Sequence, residues 1–138
     1  MALADEIQID FLILGDYAEV LGGKLYLMGG AWDRIAIRDP AQPLRFSVAL
    51  AILVPWVATN QTHTLRVTLE DADGVEQGMF IESTFVTGRP PELRPGTTQR
   101  VLLAVNSLGA APPAGDYALV ASVDGDERRR VGFVVVQS

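Results

Sequence analysis

The 138-residue chain carries 11 Lys and Arg against 17 Asp and Glu, a formal net charge of -6, and it has no cysteine. The missing cysteines exclude disulfides, thiolate nucleophiles and cysteine-ligated zinc. The acidic balance argues against a nucleic-acid partner, because phosphate binding needs a basic footprint.

The chain opens with MALADEIQID, which has neither the basic nor the apolar stretch of an export signal. With no cysteine to form disulfides, this gives the expectation of a cytoplasmic protein. From there the dominant period is two, the signature of half-buried strands. The strands predicted in order are 7–21, 24–38, 44–57, 63–71, 75–87, 97–106, 116–124 and 127–136. Gly22-Gly23 separates the first two, and two glycines between apolar runs signal a tight hairpin. In-register pairing across that turn sets Gly15 opposite Gly30 and Asp16 opposite Gly29. Glycines inside a strand mark a bulge or bend, so the hairpin is expected to kink there.

Phe46 to Val54 is apolar in both phases, as a central strand covered on both faces would be. With Pro55 interrupting it and apolar character ending at Val57, it is too short to span a membrane. Leu65, Val67 and Leu69 alternate with Arg66, Thr68 and Glu70, a half-buried pattern. Tyr117, Leu119, Ala121 and Val123 repeat it, as do Val131, Phe133 and Val135. No sustained helical period occurs, and no linker, repeat or low-complexity segment divides the chain. The expectation is one domain over 1–138, an all-β antiparallel sandwich of about eight strands, immunoglobulin-like or C2-like.

Few residues suggest chemistry. His63, the sole histidine, has no Ser or Asp at a suggestive spacing, so capping or packing is the expected role. Asp71 with Asp73, and Asp124 with Asp126 and Glu127, offer the oxygen clusters that calcium favours. Each coincides with a turn, where Asp serves local backbone hydrogen bonds. No catalytic residue, metal site or cofactor is therefore assigned. Asp16, Tyr17, Trp32, Asp33, Arg34 and Trp56 are the candidates for a ligand or partner surface. Asp33 shares the phase of Ile35 and Ile37, which points it inward unless a bulge intervenes.

The stretch Leu12-Ile13-Leu14-Gly15-Asp16-Tyr17-Ala18-Glu19-Val20, with Gly23-Lys24-Leu25-Tyr26-Leu27-Met28-Gly29-Gly30 and Trp32-Asp33-Arg34-Ile35, resembles a family of short bacterial proteins of unknown function. Ile52-Leu53-Val54-Pro55-Trp56, Leu69-Glu70-Asp71 and Gly88-Arg89-Pro90-Pro91 extend the likeness. It implies a soluble sandwich domain and brings no activity, cofactor or catalytic residue with it.

The leading expectation is thus a non-catalytic binding or assembly module that contacts another protein or its own copies, as a homodimer or small oligomer. The alternative is a module for carbohydrate or calcium, and an enzyme stands third. The surplus of apolar residues motivates self-association. The uncharged strand Val131-Gly132-Phe133-Val134-Val135-Val136 needs cover if it lies at a sheet edge.

Overall fold

The structure is a computed structural model that describes residues 5–138, and at 78–80 the backbone alone. It contains ten strands: β1 (Gln8–Gly15), β2 (Tyr17–Leu21), β3 (Lys24–Met28), β4 (Arg34–Ile37), β5 (Leu44–Val54), β6 (Thr62–Asp71), β7 (Glu76–Val86), β8 (Gln99–Gly109), β9 (Gly115–Val123) and β10 (Asp126–Gln137). A short 3-10 helix, Trp56–Ala58, follows β5. Among the described residues no helix is long and apolar enough to cross a membrane.

The count exceeds the expected eight because two long predicted strands break at the glycine bend. Residues 7–21 divide at Asp16 into β1 and β2, and 24–38 divide between Met28 and Arg34 into β3 and β4. Those breaks let the chain change layers. β1 joins a three-stranded sheet in the order β1-β5-β8. β2 and β3 form a separate hairpin, and β4 enters a five-stranded sheet in the order β4-β10-β9-β6-β7. The two larger sheets make a sandwich. It is antiparallel except where β4 runs parallel to β10, pairing Arg34 through Ile37 with Val134 through Gln137. Since β4 arrives by crossing between layers, no hairpin fixes its direction.

β5 is the middle of the smaller sheet, as its two apolar phases predicted. Phe46, Val48, Leu50, Ile52 and Val54 turn into the sandwich, where they meet Leu65, Val67, Leu69, Leu119, Val123, Phe133 and Val135. Burying each such side chain stabilises the fold by roughly 1.5–3 kcal/mol. The opposite phase, Ser47, Ala49 and Ala51, is small and also buried. That smallness lets the β2–β3 hairpin fold back onto this face.

Leu27 seats the hairpin. A Cβ on Gly15 would stand 2.6 Å from Leu27 Cδ1 and 3.1 Å from Ser47 Oγ, and one on Gly30 would collide with the same leucine. The two glycines therefore form the socket for one side chain. Asn106 of β8 locks the other strand: its amide nitrogen donates to the Ala18 carbonyl at 2.8 Å, and its oxygen accepts from the Ala18 N–H at 3.2 Å. The side chain takes the place of a neighbouring strand.

The end of the carboxy-terminal strand is not an edge. β10 pairs with β9 from Asp126 to Val135, and from Val134 to Gln137 it pairs with β4 as well; before Val134, among the described residues, β9 is its strand neighbour on one side alone. The surplus apolar surface lies elsewhere.

Candidate functional site

The hairpin register is the one expected, Tyr17 with Met28, Glu19 with Tyr26 and Leu21 with Lys24. Gly22 and Gly23 both have positive φ, 60° and 74°, as a two-residue hairpin turn requires. Alternation then sorts the side chains. Ala18 and Leu27 face the small sheet, and Tyr17, Glu19, Leu21, Lys24, Tyr26 and Met28 face outward. Of these, Tyr17 is 46% exposed, Tyr26 48%, Leu21 63% and Met28 65%. Four large apolar side chains share one two-stranded surface. The Tyr17 hydroxyl donates to Glu19 Oε2 at 3.1 Å, and this bond to a carboxylate holds the phenol above its ordinary pKa.

The candidate residues fall in three places. Asp16 and Tyr17 belong to the hairpin and its bend, where the Asp16 N–H donates to the carbonyls of Met28 and Gly29, both at 3.1 Å. Trp32 packs against the core with its ring edge-on to Phe133, centroids 6.2 Å apart. Its indole nitrogen is buried without a partner among the described residues. Asp33 and Arg34 are exposed, so Asp33 does not point inward. The irregular stretch before β4 resets the phase, and Asp33 serves through its backbone carbonyl, which accepts from the Val134 N–H at 2.9 Å.

Trp56 lies beyond the other end of β5. Gly15 pairs with Ser47, and the 3-10 helix follows Val54, roughly 23 Å further along the strand. Trp56 and the Gly15–Asp16 bend therefore stand apart along β5. Arg89, on the loop after β7, caps Trp56 instead. Its guanidinium carbon stands 4.0 Å over the ring, Nη2 donates to the Trp56 carbonyl at 2.9 Å, and Nε donates to Thr59 Oγ1 at 2.6 Å.

His63 forms the one contact that most resembles a catalytic pair. Nδ1 lies 2.7 Å from Asp124 Oδ2, and Nε2 lies 2.7 Å from the Ala58 carbonyl. Both neighbours are acceptors, so both ring nitrogens must donate and the imidazolium is the favoured form. Burial alone would lower the pKa. The Ala58 carbonyl and the Asp124 carboxylate outweigh it, and the group sits above its ordinary value. The hydrogen bond from His63 is the main cause that holds Asp124 below its own. With Nε2 committed to a backbone carbonyl, the ring has no nitrogen left to take a proton from a substrate. Its arrangement is that of a clasp between the 3-10 segment and the β9–β10 turn. Sequence spacing hid this pair, because 61 residues separate the partners.

The acidic turns are occupied by their own backbone. Asp71 Oδ1 accepts from the N–H groups of Asp73 and Val75, and Asp124 Oδ1 accepts from Thr64. Among the described residues no three metal-binding side chains gather. The second feature that sequence reasoning missed is a cavity of about 390 Å³ between the sheets, open where β7 and β8 end them.

Among curated proteins none matches the chain. Among solved structures, the chain is similar to the alkylpurine DNA glycosylase AlkC of Pseudomonas fluorescens bound to DNA containing an abasic-site analogue. The TM-score is 0.52 and the identity 10%, over 95% of this chain and 30% of that one. The chain thus spans under a third of that protein's length, and the likeness is one of fold. An immunoglobulin-like protein from Pseudomonas aeruginosa aligns over 97% of this chain and 99% of its own, at 13% identity and a TM-score of 0.42. The sequence itself matches a family model over residues 10–136, and the chain therefore belongs to the family of unknown function DUF6941.

Proposed function

We propose that this domain is a non-catalytic binding module that associates with a second copy of itself through the outward face of the β2–β3 hairpin. The observation that carries the reading is the cluster of Tyr17, Leu21, Tyr26 and Met28, exposed together on a hairpin that Leu27 and Asn106 fasten to the sandwich. Exposed apolar clusters mark contact surfaces, and Tyr and Met are enriched in them.

Charge favours a second copy even though the chain is acidic. The six outward positions contain one acid, Glu19, and one base, Lys24, so two such faces meet without net repulsion. A two-fold contact of this kind closes on itself. The absence of cysteine suits a cytoplasmic setting. The engagement of both His63 nitrogens supports the non-catalytic part.

Light scattering coupled to size exclusion tests the reading on wild type and on the double variant Tyr26→Glu with Met28→Glu. The expected result is a wild-type dimer and a folded monomeric variant. A wild type that stays monomeric on concentration, or a dimer indifferent to both substitutions, overturns it.

A further inference from the structure

The cavity between the sheets arises from the sequence of β8. The side chains that β8 turns inward run Val101, Leu103, Val105, Ser107 and Gly109, opposite Ile52, Leu50, Val48, Phe46 and Leu44 of β5. Bulk is lost at the last two positions. Ala110, Ala111 and Pro112 continue the small rim, while Val67, Leu69, Ile81 and Leu119 of the other sheet form the far wall. Protein interiors are packed about as densely as organic crystals, so a void of about 390 Å³ beside a core of Leu, Val and Phe is a departure from the rule. One leucine at 107 would fill part of it.

The lining selects among occupants. Among the described residues it contains no Lys, Arg, His, Asp or Glu, and a buried charge without a partner is costly. A free carboxylate or an ammonium would find no oppositely charged side chain there. Two polar side chains stand among its described residues, Ser107 and Gln77. The Ser107 hydroxyl makes no hydrogen bond among the described residues. Gln77 is anchored by its amide nitrogen, which donates to Asp71 Oδ2 at 3.1 Å and to the Val75 carbonyl at 3.0 Å. The volume falls within the roughly 300–1,000 Å³ of small-molecule sites. An apolar cavity of about 150 Å³ holds benzene, so this one has room for roughly a dozen heavy atoms.

We propose that this cavity, walled by β8 and flanked by β7, binds a small neutral apolar molecule, a short alkyl chain or ring carrying a single hydrogen-bonding group that meets Ser107. The site is separate from the hairpin face and does not depend on it.

Titration calorimetry with 4-hexylphenol, and with decanoate as the charged counter-probe, tests the proposal on wild type, Ser107→Leu and Gly109→Leu. A Cβ at Gly109 meets nothing within 4 Å, so the second variant keeps its backbone if the first fails to fold. The expected result is saturable one-to-one binding of the phenol to wild type, weakened at least about tenfold by either leucine, with decanoate at least about tenfold weaker. Ser107→Leu should also melt no lower than wild type, since it fills space. Absence of saturable binding, equal binding by both leucine variants, or decanoate binding as tightly as the phenol overturns the proposal.

Discussion

His63 and Asp124 meet across 2.7 Å, and they join two segments that the chain keeps 61 residues apart. The buried ring reaches the β9–β10 turn with one nitrogen and the Ala58 carbonyl with the other. Asp124 holds its turn at a positive φ of 52° and also accepts the Thr64 N–H at 2.9 Å. One end of the sandwich is thereby tied together by a charged pair.

The tie makes stability pH-dependent in a definite sense. The folded pKa of His63 is raised, so its contribution is fully present below the unfolded histidine value of about 6.5 and is lost as pH rises through the folded value. Asp124 is lowered, so its contribution is present above its unfolded value and is lost as pH falls through the folded one. The urea midpoint of the wild type should therefore be higher at pH 6 than at pH 8. His63→Ala should lose roughly 2–3 kcal/mol at pH 6 and flatten that difference. An unchanged slope in the variant would assign the pH dependence to other groups.

Leu27 and the glycine pair make a second prediction. Gly15→Ala should destabilise by roughly 1–3 kcal/mol, because its methyl would stand 2.6 Å from Leu27 Cδ1. Leu27→Ala removes the obstacle, so the double variant should be more stable than the sum of the two losses implies. Denaturant titration of the four-member cycle checks this. Additive losses would place the strain elsewhere.

Much of this arrangement was legible in the sequence, for reasons that differ by element. The hairpin register followed from Gly22-Gly23 alone, because a two-residue turn leaves one in-register pairing. β5 read as a covered strand because both of its phases are apolar, and the small side chains of Ser47, Ala49 and Ala51 show what its second cover requires. The inward phase assigned to Asp33 failed because the irregular residues before β4 break the alternation. The edge argument for Val131 to Val136 had no way to choose between an edge and an interior place, and pairing with β4 makes the strand interior only from Val134 on. The six candidate residues were grouped by residue type, yet strand geometry separates Trp56 from the Gly15–Asp16 bend along β5. Tyr26, Met28 and Leu21 went unremarked, because an alternating hairpin does not show from sequence which of its faces lacks a cover.

Arg89 supplies a third prediction. Its planar fork serves the Trp56 carbonyl, Thr59 Oγ1 and the Trp56 ring at once. Lysine offers no such fork. Arg89→Lys should therefore lose about 1–2 kcal/mol, close to the loss from Arg89→Ala. It should also shift the tryptophan emission as Trp56 becomes more exposed. A lysine variant as stable as wild type would show that charge alone suffices there.

The hairpin face yields the fourth. Hydrogen exchange of the wild type at low and at high protein concentration locates any contact between copies without a substitution. Exchange at high concentration should be slower for amides within Tyr17 to Met28, with the β7, β8 and β4 edges unchanged. Exchange that is independent of concentration throughout the chain, or extra protection at those sheet edges in place of the hairpin, would contradict it.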